Sequence, residues 1–159
     1  MIPNSRQLIT LASRCVARLW ERDHAIYQPI WHLVLPDGRQ EILTHEWCDK
    51  DADATAMRAE FEQRGVIAYA LVVEAWTLNG PKPSPEELQR IGREGLLWHP
   101  RKQEAVCYQA EDQAGTLCAE QEIERRPGQP ARLLPIRWLE AIDQEGRFAA
   151  MLPRQGSLH

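Results

Sequence analysis

The sequence lacks several features by which large classes of protein are recognised. It has no run approaching the ~20 apolar residues of a membrane span, and Arg6, Arg14 and Arg18 interrupt the apolar positions of the first twenty residues, so no signal-peptide core is predicted. Its four cysteines lie far apart without a CxxC pair, which is typical of reduced thiols rather than of a disulfide framework. We therefore expect a cytoplasmic protein that does not interact with membranes.

The motifs of several common enzyme classes are absent as well. No GxxxxGK[ST], GxGxxG, HExxH or GxSxG occurs, so the sequence does not support phosphate-loop, dinucleotide, zinc-protease or serine-hydrolase chemistry. The net charge of the chain is −4, so the chain also lacks the excess of basic residues that is typical of nucleic-acid-binding proteins. The sequence leaves enzyme activity open but favours a protein without it, and no cofactor is predicted.

What the chain does contain is enough apolar material for one core. A length of 159 residues, with 43% hydrophobic and 26% charged residues, is typical of a single globular domain. We expect this domain to span residues 1–154 and residues 155–159 to form a disordered tail. Arginine outnumbers lysine sixteen to three, which is typical of GC-rich bacterial genomes.

Periodicity and turn residues predict two main helices and about five strands. The first helix follows Asn4 or Ser5 and ends near Asp23, and the second is capped by one of three aspartates and ends at Gly65. The strands are predicted at 26–35, 39–47, 66–78, 102–110 and 116–125, with a short helix after Ser84 and short segments at 132–142 and 148–152. This order indicates an α+β domain with a mostly antiparallel sheet and both main helices on one face.

The stretch from Thr44 to Asp51 carries two candidate metal ligands, His45 and Cys48, three positions apart. In a strand, residues three apart point to opposite faces, so the two side chains could share a metal only in a turn or helix. Zinc would also need further ligands, and no second close pair supplies them. The alternative is a strand end followed by a helix cap, with Cys48 as a core-filling residue, and we favour this alternative.

Three residues are candidates for a catalytic site. Glu74 lies in an otherwise apolar strand, where burial would raise its pKa into the range of a general acid or base. Cys48, close to a helix N-terminus, is the candidate nucleophile, and His45 or His99 is its candidate base. Glu111 is a further neighbour to consider. The alternative for Glu74 is a structural role at the point where its strand reaches solvent.

Surface residues favour recognition of another protein. Arg14 and Arg18 are four apart on the first helix and repel each other unless an acid lies near, from the second helix, another protein or a phosphate. Trp98, in a loop, is the candidate exposed anchor. We therefore expect a protein-binding or accessory module, with a homodimer through a strand edge as one form of it. An acidic surface around residues 41–63, which includes Asp49, Asp51 and Asp53 and docks a basic partner or mimics nucleic acid, is a third hypothesis.

Overall fold

The structure, a computed structural model, describes residues 2–46, 48–139 and 151–152. Its helices are α1 (Ser5–Asp23), α2 (Lys50–Arg64) and α3 (Pro85–Glu94), and its strands are β1 (Ile30–Val34), β2 (Gln40–Thr44), β3 (Ala68–Leu78), β4 (Lys102–Asp112), β5 (Gly115–Glu124), β6 (Arg132–Leu133) and β7 (Arg137–Leu139). The predicted α+β fold with an antiparallel sheet is confirmed. None of the helices in these ranges combines the length and apolar content that a membrane span requires.

Local capping residues determine where the helices begin and end. The Asn4 side chain accepts a hydrogen bond from the Gln7 N–H, which satisfies one of the free donors of the first turn of α1. Asp49 caps α2 in the same way, and Gly65 ends it with φ 66°, a left-handed conformation that glycine adopts without a Cβ clash. Ser84 caps α3. The predicted boundaries of α1 and α2 are thereby confirmed.

All strand pairs in the described sheet are antiparallel, in the order β2-β1-β3-β4-β5-β6, with β7 also paired to β5. β1 begins at Ile30 because Pro29 has no N–H to donate to the ladder. The segment expected at 132–142 forms two short strands, β6 and β7, on either side of Pro135. The strand predicted at 148–152 falls mostly outside the described residues, and the tail at 155–159 falls wholly outside them.

The two main helices pack on opposite faces of the sheet. Ala70 and Val72 of β3 share a hydrophobic cluster with α1. Tyr69 and Leu71 share a second cluster with Phe61 of α2, and successive strand residues point to opposite faces. Each helix therefore covers a face of its own, in place of the shared face expected from the sequence. Helix periodicity shows which side of a helix is apolar but not which face of the sheet receives it.

In the hairpin of β4 and β5, glutamates at alternate positions 120, 122 and 124 of β5 share one face, a pattern that predicts a solvent-exposed face. Glu122 is exposed, but Glu120 retains only 5% of its accessible surface. Glu120 is paired in register with Arg137 of β7, and the Arg137 guanidinium donates to its carboxylate. The added strand therefore covers a face that the alternation of charged residues marks as wet.

Candidate functional site

The candidate metal ligands are held separately by structural contacts. The indole N–H of Trp31 donates to His45 Nε2 over 3.0 Å, and His45 Nδ1 lies 3.0 Å from the carbonyl of Glu46. Because Nε2 accepts, Nδ1 carries the proton and donates, so both ring nitrogens are engaged. Cys48 is exposed, so the prediction that it fills core space is wrong, and its backbone N–H donates to Asp53 over 3.3 Å. No cluster of three or more metal-ligating side chains occurs in the described ranges.

Glu74 contacts a backbone group rather than another candidate catalytic residue. Its carboxylate accepts a hydrogen bond of 2.8 Å from the N–H of Ile26, in the connection between α1 and β1. Glu74 thus ties the connection that follows α1 to β3. Glu111 is in register with Tyr69 and accepts from the N–H of Met151 over 3.1 Å. The carboxylates of Glu74 and Glu111 therefore bind different backbone groups, at separate positions along the sheet.

His99 is buried next to α3. Its Nδ1 accepts from the N–H of Arg101 over 3.1 Å, and its Nε2 lies 3.3 Å from a carboxylate oxygen of Glu87. Because Nδ1 accepts, the neutral ring donates from Nε2 to Glu87. These contacts attach the first turn of α3 to the start of β4. The described contacts of Glu74, His99 and Cys48 include none between any two of them, so the structure offers no assembled catalytic group of these three.

Trp98 is half buried rather than an exposed anchor. The Arg90 guanidinium lies over its ring, 3.8 Å from the ring centroid, and its indole N–H is buried without a hydrogen-bond partner in the described residues. The exposed apolar side chains of this region are instead Trp76 (44% exposed), Leu97 (62%) and Leu88 (43%). Sequence reasoning missed Trp76 because the sequence predicts that its strand is covered on both faces for most of its length, whereas the burial of β3 ends near Val72.

The arginines of α1 border a groove that the sequence does not reveal. We name it the α1–β2 groove; it has a volume of about 490 Å³ and is lined mainly by Pro3, Arg6, Thr10, Leu11, Arg14 and Gln40. Gln40 and Ile42 of β2 are in register with Val34 and His32 of β1, and directly opposed residues share a face. Ile42 therefore points to the same face as the groove, and it is 55% exposed.

Neither Arg14 nor Arg18 has an acidic partner in the part of the chain that the structure describes. Both side chains are exposed, and the ion pairs of the described residues involve other groups. The second helix, considered as a source of acids, lies on the other face of the sheet, where Arg64 pairs with Glu41 and Glu60. Arg14 lines the groove and Arg18 lies one turn farther along α1, so the groove has a cationic border that forms no ion pair at these two arginines in the described residues.

The fold and site together define an α+β domain with a cationic groove beside an edge strand. Comparison of the chain with protein-family models, with curated proteins and with solved structures finds no match. Inference of function therefore starts from the geometry of the site.

Proposed function

We propose that this protein is a protein-binding module that holds an acidic segment of its partner along the α1–β2 groove. The observation that carries the proposal is the pair of exposed arginines, Arg14 and Arg18, neither of which forms an ion pair with an acid in the described ranges. Like charges four residues apart on a helix repel each other. A partner carboxylate between them relieves this repulsion and gains attraction to both.

The opposite wall of the groove supports an extended partner. β2 is at the edge of the described sheet, so the outer backbone groups of this strand have no neighbouring strand to pair with there. An extended segment can add to such an edge through main-chain hydrogen bonds. Ile42 offers an apolar contact on the same face as the groove. Backbone pairing then supplies affinity, and the arginines select acidic sequences.

The test uses a fluorescein-labelled ten-residue peptide of alternating Glu and Val, with a Lys–Val peptide as its charge control, and fluorescence anisotropy. The doubly charge-reversed variant, Arg14→Glu with Arg18→Glu, should bind the acidic peptide at least tenfold more weakly than the wild type. The matched control is Arg93→Glu, an exposed arginine in the last turn of α3. Salt should weaken wild-type binding, because exposed charges are screened.

Two results would contradict the proposal. One is equal affinity of the wild type and the doubly reversed variant, and the other is an equal loss in Arg93→Glu. A second copy of the chain is the alternative partner for the same edge. A dimer in native mass spectrometry that Ile42→Lys abolishes, with no binding of the acidic peptide, would assign the edge to self-association instead.

A further inference from the structure

The face of the sheet opposite α1 is only partly covered by α2. Phe61 of α2 packs against the beginning of β3, at Tyr69 and Leu71. Farther along β3, Val73 and Thr77 are only half buried. A cavity of about 400 Å³ lies there, which we name the β3–β5 cavity; its walls include Leu71, Val73, Thr77, Cys107, Cys118 and Leu139. This volume is within the range of small-molecule binding pockets.

The register of the sheet explains the composition of the cavity floor. Val73 of β3 is opposite Cys107 of β4, which is opposite Glu120 of β5, which is opposite Arg137 of β7. Directly opposed residues point to one face, so the row runs from an apolar side chain through a thiol to an ion pair. The Glu120 carboxylate accepts from Arg137 and from the Gln103 amide, and its charge is therefore compensated.

The thiol in this row is also uncharged at neutral pH. Burial, together with the nearby charges of Glu120 and Cys118, raises the pKa of Cys107 to about 12. Lys50, at the N-terminus of α2, and Glu74 also line the cavity. Lys50 has its own contacts within the chain, and the Glu74 carboxylate accepts a hydrogen bond from the N–H of Ile26. The walls thus offer apolar carbon, neutral sulfur and charged groups that already have partners, an environment that disfavours a charged ligand because its desolvation would not be repaid.

One polar atom in the wall lacks a partner. Thr77 lines the cavity, and its Oγ1 is buried without a hydrogen bond in the described residues. Buried hydroxyls in proteins almost always have a partner, since an unpaired one has lost its hydrogen bonds to water. Its hydroxyl can both donate and accept, so an oxygen atom of a ligand can supply the missing bond.

We propose that the β3–β5 cavity binds an uncharged, mostly apolar small molecule whose single hydroxyl or carbonyl oxygen hydrogen-bonds with Thr77. The cavity is on the face of the sheet opposite α1, so the proposal is independent of the groove beside α1. Apolar cavities far smaller than this one accept small hydrophobic molecules. Specificity would come from the one polar contact, because the rest of the wall discriminates only by size and shape.

The experiment compares two ligands that differ by one hydroxyl, 1-naphthalenemethanol and 1-methylnaphthalene, in NMR titrations of the ¹⁵N-labelled full chain. We expect both compounds to shift amide signals of β3, β4 and β5, and the alcohol to bind more tightly. Thr77→Val keeps the side-chain shape and removes the hydroxyl. It should lower the affinity for the alcohol about five- to tenfold and change the affinity for the hydrocarbon less than twofold. The matched control is Thr116→Val, a half-buried threonine of β5 outside the cavity wall.

A filling variant provides an independent check. Ala75 lines the cavity, and Ala75→Phe, if folded by circular dichroism, should lose both compounds. The proposal is overturned if neither compound shifts these strands at its solubility limit, or if Thr77→Val changes both affinities equally. Retained binding in a folded Ala75→Phe variant overturns it as well. If Ala75→Phe does not fold, the Thr77→Val comparison alone decides.

Discussion

The attachment of α2 depends on one side chain, and Phe61→Ala tests this directly. Phe61 is fully buried, and the only other buried residue of α2 is Ala54. The Phe61 ring meets Trp31 edge to face at a centroid distance of 5.5 Å and Tyr69 at 5.1 Å. Truncation of a buried Phe to Ala removes this burial and leaves a cavity, at a typical cost of about 3–5 kcal/mol.

The measurement is urea unfolding followed by far-UV circular dichroism. With a slope of about 2 kcal/mol per molar urea, the expected loss lowers the midpoint by about 1.5–2.5 M. Phe61→Leu should recover much of the loss, because it restores most of the apolar volume. Leu88→Ala is the control. Because Leu88 is a half-exposed residue of α3, this substitution should lower the free energy of unfolding by less than about 0.5 kcal/mol. A loss below about 1 kcal/mol for Phe61→Ala would refute the assignment of α2 to this face through Phe61.

Two further predictions concern titratable groups. Burial raises the pKa of Asp112, but the hydrogen bonds that its carboxylate accepts from Ser5, Ala114 and Gly115 hold the pKa below its usual value. The stability that this lowered pKa contributes is present above the unfolded-state value of about 3.9 and is lost as the pH falls through the folded-state value. Asp112→Asn should therefore lower the urea midpoint at pH 7 and have a progressively smaller effect below about pH 4; an equal effect at pH 7 and pH 3 would contradict this reasoning. For the thiols, iodoacetamide at pH 8 should alkylate exposed Cys48 well before Cys107, whose pKa is raised to about 12 by burial. Peptide mass spectrometry at timed intervals measures the order, and first modification at Cys107 would contradict it.

The helix boundaries could be predicted from the sequence because capping is local. Asn4 and Asp49 accept hydrogen bonds from N–H groups two or three residues ahead, and Gly65 ends α2 by its own backbone conformation. Neighbours along the chain are enough to identify such positions. The α+β class could be predicted from the order of these elements, because apolar residues recur with a different period in helices than in strands.

The candidate sites could not be predicted in the same way because they depend on distant pairings. The burial of Glu120 requires Arg137, seventeen residues later in a strand of three residues. Trp98 is half buried because Arg90 stacks on it, which neither residue type indicates alone. The absence of an acid beside Arg14 within the described ranges follows from the face that α2 occupies, and helix periodicity does not contain that information.

Placement of the two main helices on opposite faces also separates charge. α1 carries four arginines against Glu21 and Asp23, whereas the stretch from Glu46 to Arg64 carries six acids against three basic residues. With the sheet between them, these two segments contribute a dipole component directed across the sheet, although the net charge of the chain is negative. In the field of an acidic partner this dipole turns α1 toward the approaching surface before contact, and the rate of productive encounter then falls with ionic strength.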